Sequence, residues 1–146
     1  MQKKAYDIAR KKVFFCFAND TMPKVADFMQ KNNIGSVMIK NKMGKVMGII
    51  TVGDILREVA KRTNLSKTEA GSVMSSPVIS IHKDTSLDEL IRKFKEKNVT
   101  RMLLVNDAGE YVGVVRDIAA YKYLSFVKFD QEAKKRFGAS YFNKLY

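Results

Sequence analysis

The chain has 146 residues, of which 46% are hydrophobic and 29% are charged. This length and composition are typical of a compact protein with a sizeable core, and they disfavour a disordered polypeptide. The 27 lysine and arginine residues against 15 aspartate and glutamate residues give a formal net charge of +12. A charge of this sign attracts polyanions such as nucleic acid, an acidic protein or an anionic membrane surface, but a solvated basic surface is the more ordinary account of most of it.

Leader, membrane and metal signals are weak in this sequence. No stretch approaches the run of roughly 20 apolar residues that crosses a bilayer, and the basic residues 1–12 are not followed by the apolar core of a signal peptide. We therefore predict a cytoplasmic protein with no transmembrane segment. Cys16 and His82 are the single cysteine and histidine of the chain, which disfavours a disulfide framework, a usual zinc site and Cys/His catalysis.

The first copy of a repeated pattern begins at residue 13. Residues 13–17 are β-branched or aromatic and predict a buried strand, while Thr21 and Pro23 are typical of a helix start. Apolar residues at helical spacing follow, and Asn32 and Asn33 predict the helix end.

Two strands and a second helix complete this copy. Residues 36–40 and 46–51 predict strands that are joined by a turn with Gly44, and Asp54 is predicted to open the helix.

The same plan recurs 65 positions later. Asn33 and Gly48 are matched by Asn98 and Gly113 at this constant offset, and such regularity indicates two similar units that arose by duplication. In the second copy, Ser86 begins a capping motif ahead of a helix, and strands are predicted at residues 101–106 and 111–116. The fold class is therefore α/β (α+β), with two repeats of order β-α-β-β-α.

The predicted organisation has five parts. The last part, the tail of residues 127–146, combines aromatic and basic residues. This pattern predicts an amphipathic helix around residues 131–137, with further aromatic residues at Tyr141, Phe142 and Tyr146. The parts are a basic N-terminal segment (1–12), the first repeat (13–62), a polar linker with one short helical turn (63–77), the second repeat (78–126) and the tail (127–146).

Two segments carry a family resemblance. Residues 48–56, which read Gly-Ile-Ile-Thr-Val-Gly-Asp-Ile-Leu, and residues 73–81, which read Val-Met-Ser-Ser-Pro-Val-Ile-Ser-Ile, resemble the cystathionine-β-synthase (CBS) domain. Two such domains in tandem form a Bateman module. The resemblance implies repeats packed with pseudo-two-fold symmetry, a ligand cleft between them, and flat homodimers formed through helices.

Thr51 and Asp54 have the chemistry of a nucleotide site. They flank a strand-to-helix turn, where a hydroxyl and helix amides can donate to phosphate while a carboxylate accepts from both hydroxyls of a ribose. The alternative is that Asp54 only caps its helix and Thr51 only ends its strand.

The resemblance extends this site into the second repeat. Arg101 is placed to bind a phosphate in bidentate fashion, although an arginine at a strand start is also commonly a solvated surface charge. Arg116 is expected to add positive charge. The full predicted ligand site is Ile49, Thr51, Asp54, Ile79, Thr100, Arg101 and Arg116.

A second, weaker site is expected on the other side of the pseudo-axis. Where the first repeat has residues 51–54, the second has only Arg116 and Asp117, which suggests that it is two residues shorter and that Asp117 does not take the place of Asp54. By the resemblance this altered site consists of Phe14, Gly35, Ser36 and Asp117.

The leading functional hypothesis is a stand-alone regulatory module without catalytic activity. Its ligand is expected to be an adenine nucleotide (AMP, ADP or ATP), with S-adenosylmethionine as another adenosyl ligand, and its output is expected to pass through a dimer change to an effector protein. The alternative is a basic regulatory protein associated with nucleic acid. No general base, carboxylate pair or activated nucleophile supports an enzyme.

Overall fold

The computed structural model describes residues 2–137, and the chain divides into two compact units. One unit is Lys12–Ser80, and the other combines the N-terminal residues up to Lys11 with the chain from Ile81 onward. Each repeat contains a three-stranded sheet and helices. The predicted mixed α/β class with two repeats is thus confirmed.

In the first repeat, one face of the sheet packs on a helix. The central strand β2 is parallel to β1 and antiparallel to β3, and its alternate residues Val37 and Ile39 are buried with Ile50 of β3 against the helix α1. The opposite face carries Ser36 and Thr51, which are direct partners in the ladder. The elements are β1 (Phe15–Phe17), α1 (Met22–Lys31), β2 (Ser36–Lys40), β3 (Val46–Thr51) and α2 (Val52–Ala60).

The second repeat has the same order. Ser86 accepts a hydrogen bond from the backbone N–H of Glu89 and so caps the first helix of this repeat, and that helix ends at Asn98 in a left-handed conformation. The elements are β4 (Ser80–His82), α4 (Leu87–Lys97), β5 (Arg101–Val105), β6 (Tyr111–Arg116) and α5 (Asp117–Phe137), and the sheet order is β4-β5-β6.

The segment ahead of each repeat pairs with the other repeat. Arg10 and Val114 exchange two backbone hydrogen bonds of 3.0 and 2.9 Å, and Ser75 and Ile49 exchange two bonds of 2.9 Å. The two pairs are related by the 65-residue offset. The first of these segments contains a 3₁₀ helix (Ala5–Ile8), and the second contains a 3₁₀ helix (Leu65–Lys67) and the short helix α3 (Ala70–Val73), where the sequence predicted one helical turn.

The observed strands agree closely with the prediction, and the helices differ at two places. Strands β2, β3 and β6 have the predicted limits, whereas β1 begins two residues later than predicted and β5 ends one residue earlier. Helix α2 begins at Val52 instead of Asp54, because Thr51 occupies the N-cap position. Helix α5 continues through residues 131–137 without a break, so the predicted tail helix is the end of this longer helix.

The predicted tail extends past the part of the chain that the structure describes. Tyr141, Phe142 and Tyr146 lie outside the described residues. Within residues 2–137, no helix is both long and apolar enough to cross a membrane.

Candidate ligand-binding residues

Thr51 and Asp54 contact each other at the junction of β3 and α2. The backbone N–H of Thr51 donates to Asp54 Oδ2 at 2.8 Å, and the Thr51 hydroxyl donates to the same oxygen at 3.1 Å. In return, the backbone N–H of Asp54 donates to Thr51 Oγ1 at 3.3 Å. This is a capping box, which satisfies two backbone donors at the start of α2.

The carboxylate of Asp54 is buried and has a cationic partner. Its side chain is 8% exposed, and Arg57 donates to Oδ1 at 3.0 Å from one turn further along α2. Arg57 was not among the residues predicted from the sequence, although the i, i+3 spacing of an aspartate and an arginine on one helix is a usable signal. Because the Arg57 side chain is 62% exposed, this arginine can move away without leaving a cavity in the core.

Other predicted residues of the first repeat lie around the same junction. The carbonyl of Gly35 accepts from the N–H of Val52 at 3.1 Å, and Ser36 is buried directly opposite Thr51. Ile49 is partly buried on β3, two residues before Thr51. The junction therefore brings together residues that the sequence assigned to two different sites.

Phe14 and Ile79 belong to the same unit but are not among the residues described at the β3–α2 junction. The ring of Phe14 meets that of Phe28 edge to face at 6.1 Å between centroids and packs against the core, which is a structural contact. Ile79 is half-buried in the irregular stretch before β4.

The predicted residues of the second repeat meet at the junction of β6 and α5. Arg101 and Arg116 are direct partners across the β5–β6 ladder. The carbonyl of Thr100 accepts from the N–H of Asp117 at 3.0 Å, and Arg101 donates to the Thr100 hydroxyl at 3.4 Å. Asp117 is the first residue of α5, and its Oδ1 accepts from the N–H of Ile118 at 2.7 Å.

The two junctions keep the same register, so the expected two-residue shortening is wrong. Thr51 corresponds to Arg116, and Val52 corresponds to Asp117 as the first helical residue at the same offset of 65. The place of Asp54 is taken by Ala119, and the second junction therefore has no carboxylate where the first has its capping box. The two junctions therefore have the same length, and they differ only in which residues occupy the equivalent positions.

The described residues hold one buried thiol, that of Cys16, and no candidate metal cluster. Within the described residues, no group of three or more His, Cys, Asp or Glu side chains is arranged to hold a metal ion. Burial, with a smaller contribution from nearby Asp20, raises the pKa of the Cys16 thiol to about 11, which keeps it protonated and weakly nucleophilic at neutral pH.

The fold defines a protein of two tandem α/β repeats, each with a strand-to-helix junction that carries polar side chains. The family model for the CBS domain matches residues 5–61 and 70–125. The chain therefore belongs to the CBS domain family, and the resemblance seen in the sequence is confirmed.

Several proteins are similar over most of this chain. An uncharacterized protein of Methanopyrus kandleri, MK0525, is 30% identical over 132 residues, which are 88% of this chain and 67% of that protein. Homoserine O-acetyltransferase of Methanococcus vannielii is 24% identical over 114 residues, but these cover only 23% of the enzyme. The solved CBS domain pair of protein MJ0100, in complex with 5-methylthioadenosine and S-adenosyl-L-methionine, has a TM-score of 0.71 and 26% identity, covering 86% of this chain and 98% of that chain.

Proposed function

We propose that this CBS pair is a regulatory module without catalytic activity, and that it binds an adenosine-containing ligand that carries phosphate. AMP, ADP and ATP form the ligand class. S-adenosylmethionine and methylthioadenosine are the alternative adenosyl ligands, and the complex of the similar MJ0100 pair supports recognition of the adenosyl part.

The pairing of Arg101 with Arg116 is the observation that carries the preference for phosphate. Arg101 and Arg116 are ladder partners, so their side chains leave the same face of the sheet, and like charges at directly opposed positions disfavour each other. A phosphate relieves this repulsion, because its oxygens accept charge-assisted hydrogen bonds from both arginines. An uncharged adenosyl compound such as methylthioadenosine does not offer this gain.

Asp54 is proposed to accept from the ribose hydroxyls. A carboxylate has about four lone-pair positions, whereas Thr51 and Arg57 supply three hydrogen bonds to it. Displacement of the exposed Arg57 side chain frees a further position. Asp54 thus serves as a helix cap and as a ribose acceptor at once, so the two interpretations of the sequence are compatible.

We propose a homodimer as the form that transmits ligand occupancy to an effector protein. Val52, Leu56 and Val59 form an apolar stripe on α2 with exposed fractions of 56%, 67% and 53%, and Ile118 and Phe126 are similarly exposed on α5. Contiguous apolar side chains at a protein surface commonly mark an interface. The cytoplasmic location remains a prediction.

Calorimetric titration with ATP, AMP, methylthioadenosine and S-adenosylmethionine tests the ligand. We expect Arg101→Gln and Arg116→Gln each to weaken ATP binding by roughly tenfold or more, since each removes a charge-assisted hydrogen bond. Methylthioadenosine binding should be unchanged in these variants and weakened in Asp54→Asn. The matched control is Arg92→Gln, an exposed arginine on α4.

Three outcomes of this titration test the proposed ligand and its contacts. Equal ATP affinity in the wild type and in both arginine variants would remove the phosphate preference. Binding of none of the four compounds to folded wild type would reject the proposed ligand class altogether. The sequence predicts that one ligand contacts both repeats, so ATP binding should respond to Asp54→Asn as well as to Arg116→Gln.

A second candidate function is binding of single-stranded nucleic acid. The Lys40 ammonium lies 4.5 and 5.4 Å from the ring centroids of Phe15 and Phe17, and Phe17 is 42% exposed. Aromatic rings beside lysines can stack on bases and attract the backbone. Binding of an oligonucleotide that falls steeply with salt, and that is lost in Phe17→Ala but kept in Asp54→Asn, would favour this function.

A further inference from the structure

Two hairpins of the chain have the same geometry. In each, an asparagine begins the turn and its backbone N–H donates to the residue four positions later, from Asn41 to Lys45 at 2.9 Å and from Asn106 to Glu110 at 3.1 Å. Each asparagine side chain also accepts from that residue's N–H, at 3.0 and 2.9 Å. The fourth residue of each turn is a glycine with positive φ, +81° and +77°.

The charges on these two hairpins are reversed. The first turn, residues 41–45, carries Lys42 and Lys45, and we call it the basic hairpin. The second turn, residues 106–110, carries Asp107 and Glu110 at the equivalent positions, and we call it the acidic hairpin. All four charged side chains belong to exposed residues.

The side-chain hydrogen bonds of Asp107 and Glu110 come from a histidine and an amide, and not from a lysine or an arginine. Asp107 accepts from His82 Nε2 at 2.7 Å, since His82 Nδ1 itself accepts from a backbone N–H. Glu110 accepts from the Asn106 amide at 2.7 Å. The Asp107 side chain is nevertheless 96% exposed, so most of its surface is available to another molecule.

We infer that the basic hairpin of one copy contacts the acidic hairpin of a second copy, and that this contact sets a head-to-tail orientation of the homodimer. The inference rests on the homodimer proposed above. In a two-fold dimer every contact between different surfaces occurs twice. A head-to-tail arrangement therefore gives two attractive contacts, whereas a head-to-head arrangement opposes lysine to lysine and carboxylate to carboxylate.

The hairpins act on orientation more than on affinity. Exposed ion pairs contribute little to binding, but like charges brought together disfavour the wrong arrangement. The apolar stripe of α2 supplies non-directional attraction, which does not by itself distinguish the two orientations. The two turns share one hydrogen-bond pattern and carry opposite charge at equivalent positions, so the hairpins are complementary in sign.

Sedimentation velocity on charge-reversed variants tests this contact. In Lys42→Asp/Lys45→Glu both hairpins are acidic, and we expect the dimer to dissociate about tenfold more readily. Adding Asp107→Lys/Glu110→Lys to the same chain should restore the wild-type dissociation constant, because the two signs are again complementary. The control is Lys67→Asp/Lys95→Glu, which makes the same change in net charge at exposed lysines outside both hairpins.

Carbodiimide cross-linking of mixed ¹⁴N- and ¹⁵N-labelled protein reads the orientation directly. We expect links between copies from Lys42 or Lys45 to Asp107 or Glu110. A wild-type dimer that forms no such links and that is unaffected by charge reversal overturns the inference and leaves the homodimer standing. A wild type that stays monomeric overturns both.

Discussion

The carboxylate of Asp54 accepts the backbone N–H of Thr51 at 2.8 Å, while the Thr51 hydroxyl oxygen accepts the backbone N–H of Asp54 at 3.3 Å. Each residue therefore holds the other at the first turn of α2. The same two side chains are the ones proposed to meet a ligand, so their substitution changes stability as well as binding.

Replacement of Asp54 by alanine should lower the free energy of unfolding by about 1–3 kcal/mol, because it removes the acceptor for a partly buried backbone donor. Asp54→Asn retains an oxygen acceptor and should cost less. Urea unfolding of both variants measures the difference. Asp27→Ala removes an exposed carboxylate paired with Lys31 and should change stability by no more than about 0.5 kcal/mol; equal losses in Asp27→Ala and Asp54→Ala would contradict the capping role.

The sequence was sufficient to predict the elements but not how the two junctions correspond. Local patterns predicted β2 and β3 correctly, since alternation and the turn at Gly44 are encoded within a few residues. The apparent shortening at Arg116 arose from matching aspartate to aspartate. The ladder instead places Arg116 opposite Arg101 as it places Thr51 opposite Ser36.

Local sequence patterns also did not predict the pairing of residues that lie far apart in the chain. Nothing in the composition of residues 1–12 indicates that Arg10 pairs with Val114, because the contact joins residues far apart in the chain. The repeat offset was the available signal: once Ser75 is known to pair with Ile49, the offset of 65 predicts the pair of Arg10 with Val114.

Gly48 is required where β3 meets the segment ahead of the second repeat. A Cβ at Gly48 would lie 2.7 Å from the carbonyl oxygen of Ser75 and 2.7 Å from Met74 Sδ. We expect Gly48→Ala to destabilise the protein by about 1–3 kcal/mol, because the backbone at Ser75 must shift.

The matched control for this prediction is Gly53→Ala. The nearest atom to a Cβ at Gly53 is 3.6 Å away, and the residue lies in α2, where alanine is favoured over glycine by roughly 0.5–1 kcal/mol. Thermal or urea unfolding should therefore move in opposite directions for the two variants. A neutral Gly48→Ala would show that this close approach is not needed.

Asp20 should make stability depend on pH in the acid range. Burial alone raises the pKa of Asp20, but hydrogen bonds from Lys24 and from the N–H of Phe17 outweigh it and hold the pKa below its ordinary value. The stabilisation is therefore present above the unfolded pKa of about 3.9 and is lost as the pH falls through the lower folded value.

The measurement is the free energy of unfolding of wild type and Asp20→Asn at neutral pH and near pH 3. We expect wild type to be the more stable at neutral pH and the difference to shrink in acid. In Lys24→Gln, which removes one of the two donors, the acid-dependent part should be smaller than in wild type. A difference between wild type and Asp20→Asn that is independent of pH would contradict this assignment.

Cys16 should be chemically silent in the folded protein. It is buried on β1. Burial is the main cause that raises the pKa of its thiol to about 11; the charge of Asp20 raises this pKa further, and the charge of Lys24 lowers it. Near pH 8 only about one thiol in a thousand is then ionised, against about one in four at the ordinary pKa of 8.5. Iodoacetamide should therefore modify native protein at least about a hundredfold more slowly than protein in concentrated urea, as followed by mass spectrometry of this single cysteine. Rapid modification of the native protein would show that β1 opens readily and exposes the core that α1 covers.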